Sequence, residues 1–142
     1  MAAYTITATE VTAGAGATIF RTALAGVTIT AGQALYLSAA NTVSLAQADG
    51  TAAEAAAVGI AMNGGAAGQP ILFVANGLIN LDTAALTGAA LGDVVALGAT
   101  AGGLYPNEDI ATTEYVTIMG YIVTANPGVV NVSIIATGVA HV

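Results

Sequence analysis

The sequence predicts an all-β fold: a compact β-barrel or β-sandwich built from two similar halves and preceded by an N-terminal arm. Three observations predict it. Thr, Val, Ile and Tyr fall in short runs that Gly, Asn, Asp or Pro punctuates roughly every 8–15 residues. A turn-and-strand pattern occurs twice, about 60 residues apart. The 142-residue chain has 6% charged residues, one Lys/Arg (Arg21), one His (His141), and neither Cys nor Trp.

The candidate strands run in order. Tyr4–Thr9 alternates Thr with other residues in the manner of an edge strand; an ice-binding ladder would need Thr-x-Thr stacked over many turns, and it is not present. Thr18–Leu24 follows the flexible stretch Ala13-Gly14-Ala15-Gly16-Ala17. Gln33–Ser38, Thr42–Ala46 and Ala56–Met62 come next, then Ile71–Ala75 and Leu78–Leu81, divided at Asn76-Gly77. Val94–Leu97, Tyr115–Val123 and Val129–Ala136 complete the set. Asp49–Ala57 is Ala-rich with helix propensity, but too short to stand alone, and reads as a loop with one helical turn.

The repeat organises these strands. Residues 31–46 (AGQALYLSAANTVSLA) read like residues 91–106 (LGDVVALGATAGGLYP): a Gly, a short apolar strand, a small-residue turn and a second short strand. VGIAMN at 58–63 matches MGYIVT at 119–124, and VANGLI at 74–79 matches IATGVA at 135–140. Gly32 and Gly92 lie 60 apart, Gly59 and Gly120 61, and Gly77 and Gly138 61. The implied organisation is an arm over residues 1–23 and one β domain over 24–142, with repeats at about 26–81 and 86–142. An arm outside the repeat suits strand addition to a neighbouring subunit.

Composition excludes several functions. A net charge of −7 with a single strong cation cannot neutralise phosphates, which argues against nucleic acid and against anionic membrane surfaces. Mean hydropathy is +0.83, yet no stretch of about 18 apolar residues runs without Gly, Thr, Asn or a charge. Residues 1–20 lack a basic start and contain Glu10, so they do not read as a signal peptide. Five Tyr, two Phe and no Trp do not supply the girdles of a membrane barrel. A soluble chain is expected, kept so by eight carboxylates. With no Cys it is indifferent to redox compartment.

Motifs for chemistry are weak. Gly14-Ala15-Gly16 begins a dinucleotide fingerprint, but Ile19 stands where the third Gly belongs. Gly64-Gly65-Ala66-Ala67-Gly68 lacks the Lys-Ser/Thr of a phosphate loop. Glu108 and Asp109 in Pro106-Asn107-Glu108-Asp109 read as a solvated turn rather than a calcium loop. His141, next to the end, is poorly placed to activate Ser38, Ser44 or Ser133, and reads as a surface or interface histidine. No catalytic, cofactor-binding or metal residue is assigned, no cofactor is expected, and the chain is read as not an enzyme. Arg21, the one strong cation, is expected to meet a carboxylate, within its subunit or across an interface. Arg21, Phe20 and Tyr4 are the candidate interface residues.

The segments Ala99–Pro106, Asp109–Thr112, Tyr115–Gly120 and Ile134–Val139, with Ala31–Leu37 and Val58–Asn63, resemble the small decoration, or cement, proteins of tailed-phage heads. The likeness covers roughly residues 26–140 and rests on turn-and-strand patterns. It implies an all-β homotrimer on the outer surface of an icosahedral virion, made in the host cytoplasm, with the major capsid protein and itself as partners. Its expected role is to stabilise the assembled, expanded shell. The alternative is a carbohydrate- or host-binding β-module on a virion or cell surface. Clustered aromatics would favour that module, but Tyr4, Tyr36, Tyr105, Tyr115 and Tyr121 are spread along the chain.

Overall fold

The computed structural model describes residues 3–82, 86, 88–106 and 112–140. Its strands are β1 (Thr12–Ala13), β2 (Thr18–Ala25), β3 (Ala34–Ala39), β4 (Thr42–Leu45), β5 (Ala57–Ala61), β6 (Pro70–Asp82), β7 (Val94–Leu97), β8 (Leu104–Pro106), β9 (Tyr115–Thr124) and β10 (Gly128–Ala140). One short helix, α1 (Ala52–Ala55), sits in the Ala-rich stretch between β4 and β5. The fold is all-β, as the strand runs predict.

The first half closes on itself. β2 pairs antiparallel with β6 and parallel with β4, while β4–β3, β3–β5 and β5–β6 are antiparallel. The ring of five strands is a barrel, and a closed barrel has no exposed edge to protect. Each strand sends a side chain inward: Ala25, Leu35, Val43, Ala61, Ile71 and Phe73 form the interior with Ala23 and Ile29.

The chain neighbours Ala34, Ile60 and Val74 are also buried, in a second and larger cluster. Successive residues of a strand point to opposite faces, so β3, β5 and β6 here are covered on both sides. This is why their sequences read as continuous apolar runs rather than as alternation. The second cluster continues through Ile79 and Leu81 of β6, Val95 and Leu97 of β7, Leu104 of β8, Met119 and Ile122 of β9, and Val130 and Val132 of β10. Each such aliphatic side chain contributes about 1.5–3 kcal/mol of burial. The larger cluster therefore spans both halves and joins them.

β6 links them. The sequence suggests two strands broken at Asn76-Gly77, but one strand runs through. Its first part pairs with β5 and β2; from Gly77 onward it pairs with β10 and β1. Gly77 has φ +94, and a Cβ there would stand 2.8 Å from the Ala17 Cα, so only glycine admits the crossing backbone. The remaining order is β10–β9–β7–β8.

Pairing registers carry the internal repeat into three dimensions. Ala34 faces Ile60 and Leu35 faces Gly59 in the first half; Val94 faces Tyr121 and Val95 faces Gly120 in the second. Both ladders slip at the same place, after Leu35 and after Val95. Leu35, Tyr36 and Leu37 oppose Leu45, Ser44 and Val43, as Val95, Ala96 and Leu97 oppose Pro106, Tyr105 and Leu104. The third sequence match does not hold its register. Ile60 faces Val74, whereas Tyr121 faces Asn131, 57 residues beyond Val74. The turn joining β9 to β10 is shorter than the connection between β5 and β6, so β10 slides along its neighbour.

The N-terminal residues differ from expectation. Tyr4–Thr9 is not a strand, and Ala8–Glu10 forms a 3-10 turn. Nor do residues 3–23 project as an arm. The Tyr4 N–H donates to Leu104 O (2.7 Å), β1 pairs with β6, β2 is a barrel strand, and Tyr4 and Val11 are buried in the larger cluster. The physical reason is that, among the described residues, the second half has no closing strand of its own between β8 and β6. The segment 3–13 runs across that opening.

Candidate interaction surface

Of the sequence-derived candidates, Phe20 and Arg21 lie exposed on β2, whereas Tyr4 is in the core and unavailable on the surface of the chain. Phe20 stacks on Phe73 with ring centroids 5.0 Å apart, so its outer face is an apolar platform. Arg21 is exposed and, among the described residues, the carboxylate partner expected for it is not found.

The carboxylates serve turns and caps. Glu54 forms a capping box with Thr51 at α1. Asp93 Oδ2 accepts from the Ala90 N–H (2.9 Å), Asp82 Oδ2 from the Thr7 hydroxyl (2.9 Å), and Asp49 Oδ1 from the Gln47 amide (3.1 Å). Among the described residues no three His, Cys, Asp or Glu are grouped to hold a metal ion. Glu108, Asp109 and His141 lie outside the described residues. Ser44 donates to Ser38 (3.0 Å), so these two hydroxyls satisfy each other.

Glycine motifs prove to be packing devices. The Gly14 N–H donates to Leu78 O (2.7 Å), and a Cβ there would meet the Leu78 Cβ at 2.5 Å. Gly65 exchanges backbone hydrogen bonds with Ile29 (2.8 and 2.9 Å). Two depressions open on the surface. One of about 260 Å³ is lined by neutral groups of residues 30–33 and 100–104 with Tyr4 and Ile6. The other, about 510 Å³, lies among Thr9, Glu10, Thr12, Asn80, Asp82 and Pro127, where Asn80 donates to the Thr12 hydroxyl (2.9 Å).

The exposed large apolar side chains fall into two groups. Phe20, Leu24, Val27 and Leu37 belong to the first half, and Leu91, Val94, Tyr121, Ile135 and Val139 to the second. Sequence reasoning missed the second group. The signal was in the repeat: where the first copy has Ala31 and Ala34, the second has Leu91 and Val94, larger side chains at matched positions. Exposed apolar side chains of this size are suited to apolar contact with another surface. No protein-family model matches the chain, and comparison with curated proteins gives no match either.

Proposed function

We propose that this chain is a structural decoration protein that binds the outer surface of an icosahedral phage head as a homo-oligomer, a trimer by resemblance, and stabilises the assembled, expanded shell. The observation that carries the reading is the set of exposed large apolar side chains, with Val94 and Tyr121 side by side on β7 and β9, on a tightly paired β scaffold. A chain with few charges and exposed apolar side chains in both halves is suited to being covered by other protein. The resemblance across residues 26–140 supplies the kind of protein.

The mechanism is linkage. A ligand that binds only the assembled shell stabilises it by RT ln(1 + [L]/Kd), about 2.7 kcal/mol per site at a hundredfold excess over Kd. A scaffold with its strands already paired loses little freedom on docking, so modest contacts suffice. An oligomer that touches several capsomers adds them through multivalency. With one strong cation per subunit, added salt weakens attachment only modestly.

The test is add-back. Purified protein mixed with undecorated, expanded capsids raises their melting temperature, and the bound fraction survives moderate salt. If decorated and bare capsids melt alike, or salt strips the protein off steeply, the reading fails.

A further inference from the structure

Where β2 meets β4 the barrel has no open edge, but that contact is short. Along one edge β2 pairs with β6, at Thr18–Phe20 and again at Ala23 and Leu24. Along the other it pairs with β4 only at Leu24 and Ala25. Among the described residues, Thr18–Thr22 therefore run past the end of β4 with no strand beside them on that edge. Such an edge presents main-chain N–H and C=O groups to which an extended chain can bond. The sequence favours it as well: Thr18–Ala25 is a β-branched, aromatic and aliphatic run without Pro or Gly, broken by one charge. That charge, Arg21, is the only Lys or Arg in the chain. The β2–β6 register slips around it, so that Arg21 and Thr22 stand opposite the single residue Leu72. Both are exposed. A bulge of this kind bends the strand and breaks the regular spacing of its edge.

We propose that Arg21 guards the uncovered edge of β2, keeping Thr18–Thr22 from pairing with a strand of another molecule. A strand laid on this edge would strip water from the guanidinium, a cost that uncharged neighbours do not offset. A charge set within an apolar β run is the usual means of keeping such a run from aggregating. Position selects this role over general solubility. The chain already stands at −7, so one positive charge weakens the repulsion between copies rather than adding to it. A lone cation with that effect is of use only for where it stands, and it stands in the bulge of an uncovered, otherwise uncharged strand.

The inference concerns the chain alone and stands whether or not the protein sits on a capsid. Full-chain variants test it, shaken at raised temperature while protein lost to a thioflavin-binding pellet is measured. Arg21→Val is expected to lose most of the chain from solution while the native protein stays dissolved. That substitution removes one positive charge and takes the net charge from −7 to −8, so overall repulsion alone predicts the opposite. Arg21→Gln, which removes the charge without adding a β-branched side chain, is expected to lose solubility in the same direction. Arg21→Lys and Arg21→Glu keep a charge in the bulge and stay dissolved. Thr22→Lys placed in the Arg21→Val chain restores solubility from the adjoining position. Circular dichroism melts matching the native one confirm that each variant folds, as expected at an exposed site. If Arg21→Val and Arg21→Gln stay as soluble as the native chain, the proposal is overturned. It is overturned too if Arg21→Lys or Arg21→Glu pellets as Arg21→Val does, or if Thr22→Lys gives no rescue.

Discussion

The two halves share pairing registers and even the position of a ladder slip, yet they differ in what surrounds them. β3, β4 and β5 are reproduced by β7, β8 and β9, with Gly59 and Gly120 at the same place beside the slip. The first half closes through β2, while the second relies on the far part of β6 and on the N-terminal segment. One copy is buried on both faces of its sheet, and the other keeps an apolar face outside. Local sequence sets the ladder; position in the molecule sets which faces are covered.

The largest effect that would sharpen this contrast comes from deleting residues 1–13. Tyr4 and Val11 each contribute about 1.5–3 kcal/mol of burial, and Ile6 packs beside them. Losing roughly 5 kcal/mol rivals the whole stability of a typical domain, so the truncated chain is expected to lose its cooperative melt by circular dichroism. A truncated chain that melts cooperatively within a few degrees of the full one would mean the segment is an appendage after all.

Matched glycines come next. A Cβ at Gly59 would stand 2.4 Å from the Phe73 ring and 2.5 Å from Val74 O; at Gly120 it would stand 2.0 Å from Asn131 O, with φ +150 besides. Gly59→Ala and Gly120→Ala are each expected to cost about 3 kcal/mol by urea denaturation, Gly120 the more. Silence at either site would break the equivalence of the two slips.

Matched apolar residues give opposite answers. Ile60→Ala is expected to cost about 3 kcal/mol, and Tyr121→Ala, in dilute solution, to stay within about 0.5 kcal/mol. Equal costs would show that both faces are covered. Smallest is Thr51→Ala, which removes the capping box of α1, a feature of the first half, and is expected to cost about 1 kcal/mol in a thermal melt.

Much of the ladder was legible in the sequence, because β-branched runs between turn residues report local pairing. β8 appeared only through the repeat, which requires a second short strand after the turn; its three residues are too few to signal alone. The division of β6 at Gly77 was misread because a positive-φ glycine marks a turn and a close backbone approach alike. The Thr alternation of Tyr4–Thr9 looked like a strand, but that segment is fixed by Tyr4 entering the core and by one backbone bond to Leu104. Of the candidate interface, Phe20 and Arg21 are exposed, since an isolated cation has little reason to be buried. Tyr4 misled because a lone aromatic near a terminus carries no sign of which way it faces.

One strand with two owners has a consequence for inheritance. Since the edge that pairs with β10 belongs to residues 77–82 of a strand begun in the first copy, neither copy is a spare part. A descendant that lost the first repeat would also lose the neighbour β10 pairs with, and one that lost the second would uncover Ile60 and Val74 to water. A chain built this way can shed neither repeat.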